Sequence, residues 1–184
     1  MAHIHWILGP VGSGKSTYSL RLARERAALR LNLDEWMSSL FSPDRPPEGV
    51  IPWYAERAAR CVDQIWRIAA RALEIDRDVV LEIGMIQRRE RAGFFPRLDA
   101  SGHPLTIHLI DAPRALRRER VLARNQAQGS TFSMVVPPAI FELASDLWET
   151  LDNDERRGRE VVEVDGGGGE LEALTAGQAA DRAS

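Results

Sequence analysis

Eight residues near the amino end, Gly9-Pro10-Val11-Gly12-Ser13-Gly14-Lys15-Ser16, combine what a polyphosphate needs: backbone able to curl, a compact cation and a hydroxyl. Their spacing is G-x-x-x-x-G-K-[ST]. Gly12 and Gly14 let successive N–H groups face one anion, and a helix beginning near Lys15 adds the positive end of its dipole. Lys15 then neutralises outer phosphate oxygens, the Ser16 hydroxyl ligates Mg²⁺, and Thr17 completes the binding segment. Given the chain's own composition, a chance match has a probability of roughly one in two thousand, so a plain strand-to-helix turn is the weaker reading. Of the 24 basic residues only Lys15 is lysine, which marks a position where a guanidinium does not replace an ammonium. With no second lysine the Asn/Thr-Lys-x-Asp motif by which Ras-type GTPases read guanine is absent, so a regulatory GTPase is not expected and ATP is the default donor, although no residue is read as an adenine contact.

Two carboxylates compete for roles beside this loop. Asp34 ends the alternating run Leu29–Leu33, where it is placed either to take a proton from an acceptor hydroxyl or to cap a helix starting at Glu35 or Trp36; Glu35 is its neighbouring competitor. Glu82 interrupts the apolar run Val79–Ile83 and is costly there unless paired or near a metal. Two readings stand level: a functional group that orders Mg²⁺ or its water or contacts the acceptor, and the partner of a structural Arg. Arg88, Arg89 and Arg91 are placed to grip an anionic acceptor or to form an exposed helix face. Trp36, Phe41, Trp53 and Tyr54 flank the Asp34 segment, as an acceptor pocket or as packing. His3, His5, His103 and His108 show no metal-ligand spacing and are given no role.

The elements that position these groups alternate. Ile4–Leu8 reads as a strand, followed by a helix with Leu20, Ala23 and Ala27 at helical spacing. A second strand covers Leu29–Leu33, and a long helix with Pro52 in its first turn runs to Asp76. Val79–Ile83 is a strand covered on both faces, and helix resumes near Gln87 with Gly102 as its stop. Leu105–Ile110 is the fourth strand, Asp111 caps a helix with Pro113 in its first turn, and Gly129 ends it. A helix from about Pro138 to Thr150 precedes a fifth strand at Val161–Val164. This order predicts an α/β fold, a three-layer sandwich with a five-stranded, mainly parallel sheet and helices on both faces. Ligands in such sheets bind beyond the carboxyl ends of the strands. The expected division is one domain over residues 1–165 and, over 166–184, a glycine-rich linker with a flexible or short helical tail.

Composition narrows the setting. A chain of 184 residues suits one core. A net charge of −3 gives no general attraction to nucleic acid or anionic membrane. No segment reads as a signal peptide or membrane span, and one cysteine, Cys61, permits neither an internal disulfide nor a multi-cysteine zinc site, so a reducing cytoplasm is expected.

Read in order, the phosphate loop, L-N-L-D-E-W, D-V-V-L-E-I-G and I-D-A-P-R-A-L-R-R-E-R-V-L-A-R-N resemble the P-loop kinases of the polynucleotide kinase, zeta toxin and chloramphenicol phosphotransferase group, most of all its small members labelled AAA family ATPases. The resemblance covers roughly Ile4 to Val164. It implies that Asp34 is the general base and that a cation over the transferring group comes from the lid-like segment Arg114–Arg124, where Arg120 and Arg124 share a face and Arg124-Asn125 resembles the family's Arg-Asn pair. Two departures stand out: Glu82 occupies a place where relatives usually carry Asp, and Gln126–Gly129 lacks a further lid Arg. The expectation is an enzyme, an ATP- and Mg²⁺-dependent phosphotransferase acting on a small-molecule hydroxyl. The alternatives are a 5′-hydroxyl polynucleotide or nucleoside kinase, and an ATP-hydrolysing switch without an acceptor.

Overall fold

Short apolar strands joined through helices run parallel, because each crossover carries the chain back to the end of the sheet where the previous strand began. The computed structural model describes residues 1–127, 129, 132 and 134–168, and its sheet has this form. Strands β1 (Ile4–Leu8), β2 (Leu29–Asn32), β3 (Val79–Glu82), β4 (Leu105–Asp111) and β5 (Glu160–Asp165) lie in the order β2-β3-β1-β4-β5, and all neighbours are parallel. Helices α1 (Lys15–Glu25), α2 (Leu33–Leu40), α3 (Val50–Glu74), α4 (Arg88–Ala100), α5 (Arg114–Ala127), α6 (Pro138–Asp146) and α7 (Asn153–Arg156) surround it. The chain winds first toward β2 and then toward β5, so the order reverses at β1 and the segment after β1 opens at the switch point. The expected α/β sandwich is the observed one.

Side-chain alternation divides the core. Ile4, Trp6 and Leu8 of β1 pack with Ile65 and Ala69 of α3 and with Phe94 and Phe95 of α4, and the fully buried Trp6 ring lies 5.4 Å and 5.2 Å from those two phenyl rings. Ile7, pointing the other way, joins Val80 and Ile110 beneath Tyr18, Leu22 and Ala23 of α1. Both faces of β3 are therefore covered, which explains its continuous apolar run.

Several boundaries differ from expectation for local reasons. The second strand stops at Asn32, whose side chain accepts the Glu35 N–H at 3.0 Å and starts α2 at Leu33. Pro113 precedes α5 instead of entering its first turn: its carbonyl accepts the Arg117 N–H at 3.0 Å, while the Asp111 carboxylate takes the Ala112 N–H. Helix α3 starts at Val50 and ends at Glu74, two residues short of Asp76. Helix α6 ends at Asp146, well before Thr150, because Glu149 N–H bonds Ile86 O and the Thr150 carbonyl is taken by Arg91. The short α7, with its Asp152–Glu155 capping box, was unanticipated. Gly166 opens the glycine run as a packed turn: its N–H bonds Asp111 O at 2.7 Å, and a Cβ there would meet Ser13 O at 2.3 Å. The expected tail over 169–184 lies outside the described residues.

Two of the histidines given no role, His5 and His108, form with Tyr18 a buried polar chain under α1. His5 Nδ1 lies 3.1 Å from His108 Nε2, and His108 Nδ1 lies 2.9 Å from the Tyr18 hydroxyl; His5 Nε2 is buried without a partner among the described residues. Burial first, and then the other rings, lower both pKa values to about 4. The folded rings stay neutral while an unfolded chain takes up protons near pH 6.5, so this stability is complete above 6.5 and is lost as pH falls toward 4. The expected loss is roughly 3 kcal/mol for one ring and less than twice that for the coupled pair. Urea midpoints at pH 7, 5.5 and 4.5 check it; a constant midpoint would contradict it.

Candidate active site

The loop between β1 and α1 has the conformation its glycines were expected to supply. Gly12 has φ +79° and Gly14 φ +101°, and Gly12 is also closely packed, since a Cβ would meet Arg117 O of α5 at 2.6 Å. Gly14 stands at the N-cap of α1, where no side chain caps the helix and no acidic residue occupies the first turn. The N–H groups there are left to an external acceptor. Ser13 Oγ is buried and unpartnered among the described residues, and Lys15 Nζ donates to Pro10 O at 2.7 Å. An uncapped helix end, an orphan hydroxyl and the lone ammonium fit a polyphosphate. Burial lowers the Lys15 pKa; Glu82 and Asp34 hold it up, while Arg124 and Arg117 lower it further.

Ser16, in the first turn of α1, donates from Oγ to Glu82 Oε1 at 2.6 Å across the sheet end. With its hydrogen placed there, the Ser16 oxygen keeps lone pairs for a hard cation, and Glu82 supplies a second oxygen beside it. Among the described residues no cluster of three His, Cys, Asp or Glu can hold a metal alone. The pair therefore fits Mg²⁺, which retains waters and shares its remaining coordination with phosphate. Glu82, 5% exposed, is also paired: its Oε2 accepts from Arg30 Nη2 at 2.8 Å and Ser19 Oγ at 2.7 Å. The pairing of Glu82 with an Arg is thus seen at Oε2, while Oε1 faces the Ser16 hydroxyl.

Asp34 lies in the first turn of α2, and the capping role expected as its alternative belongs to Asn32. Its side chain reaches solvent, yet the protein packed around it raises its pKa; the Glu82 charge acts the same way, and Lys15 and Arg124 pull it back. Tyr54 of α3 is close enough for Asp34 to act on it by charge and hydrogen bonding, which together with burial raises the phenol pKa. Trp36, Phe41 and Trp53 pack against the main core, and Arg57 stacks over Trp53 at 4.6 Å.

The lid arginines separate. Arg124 stands within the fields of Asp34, Glu82 and Lys15, and its Nε is buried without a partner among the described residues; burial lowers its pKa and the two carboxylates oppose that. Arg120 instead donates to Gly166 O at 2.5 Å. Arg117 donates to Ala112 O and Val11 O, holding α5 to the phosphate loop. Arg114 and Arg118 both pair with Glu142 of α6. Arg91 does not face an acceptor: it is fully buried in a double hydrogen bond to Glu155, and Arg88 pairs with Asp152 at 2.6 Å. A cavity of about 460 Å³ lies beyond β4 and β5, lined by Asp111, Arg117, Trp148 and Asp165 among others; Asp34 and Glu82 are not in its walls. Arg30 and Ser19 were missed by sequence reading, although Ser19 follows Ser16 by one helical turn.

Residues 4–137 match the AAA domain family AAA_33. The chain belongs to this family. No curated protein matches the chain significantly. Solved structures that share its fold include a candidate kinase from Chloroflexus aurantiacus, with TM-score 0.72 and 18% identity over 99% of this chain and 97% of that one. A gluconokinase from Sinorhizobium meliloti has TM-score 0.54 and 17% identity over 98% and 94%. Kti12 of Chaetomium thermophilum in complex with ADP-AlF3 has TM-score 0.63 and 13% identity over 95% and 96%. The AAA domain described here is thus P-loop-kinase-like in fold, and no described helix is long and apolar enough to cross a membrane.

In enzymes that transfer a phosphoryl group, a cation over that group acts chiefly on the transition state, and a kinase reading of this site would give that part to Arg124. Arg124→Ala is expected to lower kcat by about 10³-fold with little change in nucleotide affinity. Single-turnover rates at saturating ATP check this, and an unchanged rate removes Arg124 from the reaction.

Proposed function

We infer that the protein is an ATP- and Mg²⁺-dependent phosphotransferase that moves the γ-phosphoryl group to a hydroxyl of a small molecule. The observation that carries this reading is Asp34: relieved of helix capping by Asn32, with its pKa raised, and electrostatically coupled to Lys15, Glu82 and Arg124. A hydrolysing switch would also place a group to orient its water, so acceptor dependence is what separates the two readings.

When bound, ATP supplies the phosphoryl group and Mg²⁺ neutralises its oxygens. The amides of Gly12 to Ser16 and the Lys15 ammonium hold the phosphates, and Ser16 presents lone pairs to Mg²⁺ while Glu82 holds the Ser16 hydrogen. Asp34 accepts the proton of the acceptor hydroxyl as its oxygen bonds to phosphorus and the bond to the ADP oxygen breaks. Arg124 offsets charge developing on the equatorial oxygens.

The net charge of −3 and the absence of a further Arg in Gln126–Gly129 favour a small acceptor over a nucleic-acid end. The test is ATP consumption against a panel of sugars, nucleosides, aminoglycosides, aryl alcohols and 5′-hydroxyl oligonucleotides. Stimulation by one small hydroxyl compound supports the reading, stimulation only by oligonucleotides redirects it to a polynucleotide kinase, and stimulation by none opposes phosphotransfer.

A further inference from the structure

The Glu82 carboxylate receives three donors, and their distribution is uneven. Oε1 takes only Ser16 Oγ at 2.6 Å, whereas Oε2 takes Ser19 Oγ at 2.7 Å and Arg30 Nη2 at 2.8 Å. A carboxylate offers about four lone-pair sites, so Oε2 is filled and the remaining capacity lies on Oε1, beside the Ser16 hydroxyl. Arg30, with its side chain 10% exposed, uses its other two nitrogens as well: Nε donates to Ser19 Oγ at 2.8 Å and Nη1 to Glu35 Oε1 at 2.6 Å. Ser19 is thereby a junction, accepting from Arg30 and donating to Glu82.

Glutamate has one more rotatable bond than aspartate, and its carboxylate needs more restraint to hold one orientation. The planar fork of Arg30 supplies that restraint from β2, and a lysine in its place could not reach three acceptors in fixed directions. The same fork ends on Glu35, the residue after Asp34 in the first turn of α2. One side chain therefore ties the metal-facing carboxylate to the helix that carries the base.

We propose that Arg30, acting through Ser19 and Glu82, is the positioning residue that sets the Mg²⁺ affinity of the site. This rests on the phosphotransferase reading above. The role is one of orientation: Arg30 fixes which Glu82 oxygen faces the cation. Outer partners of a metal site commonly alter metal affinity by about 10–100-fold, and the same scale applies here.

The experiment uses the full chain and a fluorescent ADP analogue, titrated with and without Mg²⁺. Arg30→Gln is expected to leave Mg²⁺-free ADP affinity within about twofold while raising the half-saturating Mg²⁺ concentration about tenfold. Arg30→Lys and Ser19→Ala should move it the same way by less. Arg30→Gln combined with Glu82→Gln should be no worse than Glu82→Gln alone, because both act on one carboxylate. Should Arg30→Gln not fold, Arg30→Lys and Ser19→Ala decide the question. Wild-type Mg²⁺ dependence in the folded variants would overturn the proposal and reduce Arg30 to a structural ion pair. Wild-type protein whose ADP binding ignores Mg²⁺ would instead overturn the reading on which it stands.

Discussion

Replacing Asp34 with Asn is expected to lower kcat for phosphoryl transfer by about 10²- to 10⁴-fold while ADP affinity stays within about threefold. The substitution keeps the side-chain shape and the start of α2, because Asn32 rather than residue 34 caps that helix. What is lost is the proton acceptor. The protein around Asp34 and the Glu82 charge raise its pKa, so the wild-type rate should decline as pH falls through a value above the ordinary aspartate range. That decline belongs to the deprotonated base and should be missing from the residual activity of the Asn variant. Initial rates from pH 5 to 8 for both proteins check the two statements together. An Asn variant with wild-type turnover would remove Asp34 from the chemistry.

The largest effect on stability is expected elsewhere, at Glu155→Ala. Arg91 is fully buried and Glu155 is 6% exposed; they meet through hydrogen bonds of 2.7 Å and 3.0 Å. Nη1 reaches Ile86 O at 3.3 Å and Nη2 also reaches Thr150 O at 3.4 Å, so this guanidinium joins α4, the loop after β3 and the approach to α7. Removing the carboxylate leaves an uncompensated charge in the core, at a cost of about 3–5 kcal/mol. That is a large share of the stability of a domain this size. Replacing both residues with apolar ones of similar volume, as in Arg91→Met with Glu155→Leu, should recover most of the loss. Urea midpoints at constant m-value measure both variants. A change below about 1 kcal/mol for Glu155→Ala would show that the pair behaves like an exposed one.

These two residues also show what was legible in the sequence. The phosphate loop was readable because its chemistry resides in contiguous spacing, and the glycines at positive φ follow from it, whereas the Ser16–Glu82 bond joins residues far apart in the chain. Asp34 was readable as a carboxylate at a strand end, although its capping alternative was settled only by Asn32. Arg91 was not, because in a chain where nearly every cation is arginine, Arg88, Arg89 and Arg91 look alike until packing buries one of them. Arg30 was hidden for a similar reason: a polar residue in the alternating Leu29–Leu33 run reads as an outward-facing position, and its partners come from β3, α1 and α2. The His5–His108 contact depends on the parallel register of β1 with β4, in which Ile7 stands opposite His108, and no local spacing encodes that pairing. Periodicity signalled α1, α3 and α4 to within a few residues, but α7 was not anticipated and α6 stopped early because residues after it were recruited by the β3–α4 loop.

The proposed reaction passes the γ-phosphoryl group from ATP to an organic hydroxyl with Asp34 as base. Incubating wild-type and Asp34→Asn proteins with γ-labelled ATP, Mg²⁺ and the acceptor panel, then resolving the products, tests it most directly. The expected result is label on one small hydroxyl compound with wild type and a trace of it with the variant; slow release of labelled phosphate alone, equal in both proteins and indifferent to every acceptor, would rule the phosphotransferase out.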